Sequence, residues 1–514
     1  MNNANRVILN TGFLYVNMIV SLSVQLVSVR ILLRALGIVD YGIYTVVAGV
    51  VALFAFLNVA MAASTQRYLS FALGEGDGNR LSELFYQSVV LHLLIGVVFV
   101  VGLETFGQYY IHHILRAPSN RIEAAAILLH CISVSTFVNI ITVPYEADIN
   151  ANEDMAVIAI INILDAFIKL GSAVFVLYTQ ADKLVMLGVL TMVGLILTLT
   201  LKRIYCVKHY PESHIRWHYI KDFGLMRNVV SFAGWNLIGA GCSIARYQGT
   251  ALILNAFFDI LVNTAYGVAQ HVNGLLLFFA NTIVRAIRPQ IVKSEGAGNR
   301  LRMIRLSMTT CKITSLMVAF MAIPLFVEMP FILNLWLGKI PGIECIMFCR
   351  CFLIIVFLNQ LTIGLQIAIE STGRIRCMQT VVGTMHLMAL PLGYMCYSYG
   401  LPVISIMLCI IVEEILALFV RTCIAHRQIN LNIKDFLLHN VTPCAMVSFF
   451  VLCFLIAIGE MMEVNIWLHA ILIILFSTSL LIVLGRICLT RDESRIIGDF
   501  VGSIAAKVMK GRPI

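Results

Sequence analysis

The residues of this sequence that could do chemistry are ionisable side chains set inside long apolar runs. Asp165 and Lys169 stand four apart in one run, a helical spacing at which they can pair on one face. Arg246, Lys312 and Arg350 each lie inside a run, Glu413 and Glu414 are adjacent in another, and Arg30 and Arg34 close the first. A charge in such a place is costly unless it meets a partner or faces a water-filled cavity. The cations outnumber the three acids Asp165, Glu413 and Glu414. A positive surplus in a low dielectric attracts an anion, and the planar guanidinium fork matches phosphate oxygens. Each cation also has a plainer reading. Lys169 can be neutralised by Asp165, Arg246 can snorkel or pair across a bundle, and Lys312 and Arg350 can snorkel to the surface. Glu413 and Glu414 stay open to two readings, as partners for those cations or as proton carriers.

No catalytic set accompanies these charges. There is no Gly-x-Ser-x-Gly elbow, no Walker loop and no Asp-rich metal motif. Nearly all of the 14 cysteines lie in apolar runs. Cys345, Cys349 and Cys351 cluster without a His or carboxylate at ligand spacing, so they read as small apolar side chains. The expectation is no enzyme, no resident metal and no cofactor, with the driving energy taken from a gradient or from the substrate itself.

The elements that position these residues follow from composition. Of 514 residues, 60% are apolar and 12% charged, against roughly 45–50% and about 25% in soluble domains. That excludes a soluble enzyme, a disordered chain and a nucleic-acid binder with a basic face. The fold class is all-α, a polytopic membrane protein. Fourteen runs are long enough to span: 7–33, 41–73, 84–103, 124–143, 155–178, 184–201, 229–255, 261–283, 307–333, 343–369, 378–399, 402–423, 441–458 and 466–484. With both ends in the cytoplasm, inner segments hold 26 of the Lys and Arg residues and outer segments six. The first run reads as a retained helix and not a cleaved signal.

An internal repeat organises the runs. Residues 74–81 (GEGDGNRL) and 294–301 (SEGAGNRL) match at six of eight positions. Tyr41-Gly42 upstream of the first has a partner in Tyr266-Gly267 upstream of the second. Six spans per repeat give two parallel halves. The expected organisation is a six-helix lobe at 1–210, a second at 211–426, a helix pair at 427–485 and a basic cytoplasmic tail at 486–514. Ile496, Ile497, Phe500, Val501, Ile504 and Val508 in that tail have the spacing of a helix lying on the inner face.

The chain resembles the multidrug/oligosaccharidyl-lipid/polysaccharide exporter superfamily, and more closely its bacterial Wzx-type flippases. The likeness rests on RALGIVDYGIY at 34–44, ASTQRYLS at 63–70 and VPYEA at 143–147. It continues in SFAGWN at 231–236, NTIVRAIRPQIVKS at 281–294 and ILNLWLG at 332–338. The resemblance implies two lobes around a central cavity in the bacterial inner membrane. It implies a cargo of oligosaccharide linked through diphosphate to undecaprenol, moved to the periplasmic leaflet for O-antigen or capsule, with a polysaccharide polymerase as a candidate partner. On that reading Arg30, Arg246, Lys169 and Lys312 form a cationic cavity, while Asp165, Glu413 and Glu414 serve coupling or charge pairing. Arg246→Ala would then remove transport and leave the protein level unchanged. Tyr266 departs from relatives that carry Arg there. The alternative is a cation-coupled multidrug antiporter of the same superfamily.

Overall fold

The computed structural model describes residues 3–52, 55–113, 118–214, 223–258, 260–337, 342–462 and 465–488. Among them the regular structure is helical. In the first half lie α1 (Asn3–Ala52), α2 (Ala55–Glu75), α3 (Gly78–Gly102), α4 (Gln108–His113), α5 (Ile122–Ala151), α6 (Met155–Tyr178) and α7 (Lys183–His209). Then follow α8 (Phe223–Phe257), α9 (Ile260–Gly296), α10 (Arg300–Val327), α11 (Met329–Leu337), α12 (Ile343–Gln360) and α13 (Ile363–Ser371). The chain closes with α14 (Arg376–Ser398), α15 (Ser405–Ile429), α16 (Ile433–Phe436), α17 (Thr442–Met461) and α18 (Ile466–Cys488).

Every apolar run read from the sequence falls on this helical framework. The long α1 holds the first run and the start of the second, separated by a break at Gly37 (φ 72°, ψ 177°). That backbone conformation belongs essentially to glycine. The tenth run is interrupted at Leu361 and Thr362, between α12 and α13. Ten helical segments among the described residues are long and apolar enough to cross a membrane. The runs on α8, α14 and α15 are not among them. Those three helices carry the buried ionic cluster described below. The proposed surface helix at 496–508 lies outside the described residues, as do residues 215–222 of the basic segment 202–227 expected to join the two lobes.

The two copies of the repeat build the same turn with different caps. In both, the Glu clasps the Arg five residues on: Arg80 Nη1 to Glu75 Oε2 at 2.8 Å, and Arg300 to Glu295. The first copy turns at Gly76 (φ 76°), and Asp77 caps α3 by accepting from the amides of Asn79 and Arg80. In the second, Ala297 has no side chain to cap with. The turn moves to Gly298 (φ 71°), and Asn299 accepts from the Arg302 amide. Helix N-termini need such an acceptor, and the next residue able to supply it takes the role.

Packing divides the chain into two units, Leu9–Leu237 and Ile238–Ile514 with Met1–Ile8. In the first, α5 lies against α2, α3, α6 and α7. Leu69, Leu84, Phe85, Tyr145 and Ile149 fill one part of its core; Leu128, Leu129, Val176 and Leu184 fill another. In the second, α10 packs on α9, α12, α13, α17 and α18, and α14 packs on α15. Tyr266, Phe348 and Phe352 centre this core, with Tyr266 edge-on to Phe348. Position 266 is thus an aromatic core position, the Tyr266 hydroxyl donating to the Tyr247 carbonyl at 3.3 Å. Exposed apolar side chains such as Trp467, Ile471, Ile474 and Phe449 suit a surface that meets lipid.

Candidate functional site

The second unit contains a buried ionic cluster drawn from three helices. Arg246 projects from α8, His386 from α14, and Glu413, Glu414 and Arg421 from α15, and all five are buried. Arg246 Nη1 lies 2.5 Å from Glu413 Oε2 and 3.1 Å from Glu414 Oε1. Arg421 Nη1 reaches Glu414 Oε2 at 3.4 Å and donates to Thr362 Oγ1 at 3.2 Å. Thr362 is available because the chain breaks helix between α12 and α13. Glu414 and Arg421 are seven apart, two turns along one face of α15.

Two guanidinium groups therefore meet two carboxylates, and the cluster is neutral while His386 is uncharged. Removing charges from water is expensive, and only close pairing with further hydrogen bonds offsets the cost. The remaining freedom sits on one side. His386 Nδ1 is 3.0 Å from Glu413 Oε1. Yet neither atom, nor Arg246 Nε, has a hydrogen-bond partner. A proton on His386 would find an acceptor already in place. Donor atoms of His386, Glu413 and Glu414 lie within 4.8 Å of one another. The two acids already balance two arginines, so a divalent ion there would add unmatched positive charge. Glu413 also borders a cavity of about 590 Å³ lined by Met385, Met388, Leu392, Leu408 and Val412.

The other charges singled out by sequence are placed as follows. Lys169 is exposed and pairs with Asp165 at 2.7 Å, and Asp165 also accepts from Thr198 Oγ1 at 3.3 Å. Lys312 is buried in α10, one turn before Leu316, which packs with Cys444 and Cys488 of the last two helices. Arg350 donates from Nε to the Phe326 carbonyl at 2.9 Å and lies over the Phe326 ring. Arg30 and Arg34 are exposed on α1, one turn apart. The structure thus brings together Arg246, Glu413 and Glu414, and separately Asp165 and Lys169. Lys312 joins neither group.

His386 and Arg421 escaped the sequence reading. Arg421 stands near the inner end of the 402–423 run, and α15 continues past it to Ile429 and buries it. Its spacing from Glu414 was the available signal. Lys202, counted as part of the basic join, is likewise a buried helical residue paired with Glu146 at 2.8 Å.

The first unit has its own clamp at a chain-end cluster. Arg121 holds Asp40 through Nε and Nη2 at 2.8 and 2.6 Å, and Asp182 through Nη1 at 2.5 Å. Asp182 caps α7 by accepting from the Leu184 and Val185 amides. The Arg121 guanidinium and these amides hold its carboxyl below the usual range.

A family model described as MatE matches residues 14–175. No curated protein matches the chain. Several solved structures do. One, described as the outward-facing conformation of a multidrug resistance MATE family transporter of the MOP superfamily, has a TM-score of 0.70 at 12% identity and covers 84% of this chain and 98% of its own. A MATE crystallised in the straight conformation scores 0.73 at 12% identity, covering 84% and 97%. A MOP superfamily transporter from Pyrococcus furiosus, described as having a binding pocket of reverse polarity that suggests a different function, scores 0.70 at 12% identity over 84% and 98%. The chain therefore has the multi-helical membrane fold of the MATE-type transporters.

Proposed function

We propose that the protein is a transporter that moves an undecaprenyl-diphosphate-linked oligosaccharide from the inner to the outer leaflet by alternating access. One observation carries the choice of cargo. Arg30 and Arg34 are exposed, one turn apart, within the candidate span Gly12–Gly37. Among the described residues no carboxylate pairs with either. An arginine in a membrane span that is not neutralised must face water or an anion, and two forks a turn apart suit the oxygens of a diphosphate. Lys169 is a further exposed cation, paired with Asp165. A protein of the same fold is described as having a binding pocket of reverse polarity that suggests a different function, so the fold is compatible with more than one pocket polarity. The proposed setting is a bacterial inner membrane with both termini cytoplasmic, and a polysaccharide polymerase would receive the product. H+ or Na+ would drive the cycle, binding the inward and outward states unequally.

In this reading Arg246 does not lend a spare charge to the cargo, because Glu413 and Glu414 use it. Its cluster instead ties α8 to α15 and offers His386 as a proton site. A second reading has one observation in its favour. The largely apolar cavity ending at Glu413 suits a lipophilic cation, as in a multidrug antiporter. Vesicles containing the purified protein and a fluorescent lipid-linked oligosaccharide separate the two. Redistribution of the sugar between leaflets supports the flippase; an unchanged distribution, with uptake of a lipophilic cation instead, supports the antiporter.

A further inference from the structure

Cys396 and Cys409 sit on α14 and α15, close to the turn that joins these helices. The turn is well defined. Tyr397 Oη donates to the Val403 carbonyl at 2.6 Å, and Gly400 takes φ 76°. Beside it, Cys396 Sγ and Cys409 Sγ are 3.8 Å apart. Both side chains are half-buried, and both line the cavity that ends at Glu413. A disulfide needs a sulfur separation of about 2.05 Å with Cβ atoms roughly 3.5–4.5 Å apart. At 3.8 Å the two sulfurs are already in van der Waals contact. Neither sulfur is fully buried, so each keeps some exposure at the cavity.

The compartment matters as much as the distance. Arg374 and Arg376 stand at the start of α14, where the positive-inside pattern puts the cytoplasm. The Cys396–Cys409 end of the hairpin then faces the outer compartment, where disulfides form and persist.

We propose that Cys396 and Cys409 are joined by a disulfide in the cell, resting on the orientation given above. The oxidant is a disulfide-bearing thiol oxidoreductase or small disulfide outside the membrane. One cysteine, as thiolate, attacks the oxidant's S–S bond, forming a mixed disulfide and releasing one oxidant thiolate. The second thiolate attacks the cysteine sulfur of that mixed disulfide and releases the other. Two cysteine S–H bonds are lost and one S–S bond forms. The oxidant's disulfide is reduced by two electrons to two thiols, which take up the two protons. The bond staples the outer ends of α14 and α15 and fixes the rim of the cavity.

The test uses the full chain in its native membrane. Thiols are blocked with N-ethylmaleimide before any reductant is added, and peptides are read by mass spectrometry. The expected result is a cross-linked 396–409 peptide pair, with both cysteines alkylated only after reduction. In Cys396→Ser, a membrane-impermeant maleimide added outside should label Cys409. Alkylation of both cysteines before reduction overturns the inference, including the case where a cross-link forms only on adding copper–phenanthroline. Labelling of Cys409 from the cytoplasmic side alone overturns it through the orientation. The transport reading has its own readout: a cross-linked protein that moves no lipid-linked sugar keeps the disulfide and loses the flippase.

Discussion

Arg246 illustrates how a single buried charge constrains both folding and function. Only 3% of it is exposed, and one of its nitrogens serves two carboxylates. Truncating it leaves Glu413 and Glu414 with only Arg421 to balance them. Removing one partner of a buried pair costs about 3–5 kcal/mol. Arg246→Ala should therefore lower the yield of folded protein, checked by fluorescence size-exclusion chromatography of a tagged variant. The sequence alone suggests the opposite, an unchanged level, because the partners lie 167 and 168 residues away and no local spacing reveals them. An unchanged elution peak would mean that the acids take up protons or find other partners. By contrast, Asp165 and Lys169 were legible at once, since four residues on one helix fix their meeting. His386 was not, because a single His in an apolar run carries no spacing signal.

At the scale of elements, close approach and caps decide. Gly364 opens α13 against α10, and a Cβ there would come within 2.0 Å of the Ser307 carbonyl oxygen. Backbone cannot yield as a side-chain tip can, and overpacking of this kind costs about 1–3 kcal/mol. Gly364→Ala should lower the melting temperature in detergent; an unchanged melting temperature would contradict the packing. The Arg121 clamp joins the chain after the Gly37 break to the start of α7. Asp182 has its proton affinity depressed in the fold, so its contribution is present above the ordinary aspartate range. It fades as pH falls through the depressed value. Acid should weaken the wild type and change Asp182→Asn less, as thermal melts between neutral and about pH 3 would show. The elements themselves were readable from hydropathy because a bilayer demands about 20 apolar residues per span. The shifted cap in the second repeat was not, since six identities in eight suggested identical turns and only the Asp77-to-Ala297 difference moves the turn.

For the whole molecule, the apolar surface, the two units and the MATE-type fold agree with a protein that works inside a membrane. Fold class was legible because composition and periodicity act on every residue. The site was legible only in part, because it depends on which helices become neighbours. Helices read as candidate spans from the sequence, α8, α14 and α15, turned out to share the buried cluster of Arg246, His386, Glu413, Glu414 and Arg421. The surplus of positive charge shrinks once Arg246 is matched, and Arg30 with Arg34 carries what remains of the argument for an anionic cargo. Loss of a charge-assisted contact is worth about 1.5–3 kcal/mol, or roughly 10- to 150-fold in affinity. The most direct measurement is the binding of a fluorescent polyprenyl-diphosphate oligosaccharide to purified protein, compared with the Arg30→Ala, Arg34→Ala double variant at equal folded amount. The account expects binding at least tenfold weaker in the variant. Equal affinity in the two proteins would contradict it.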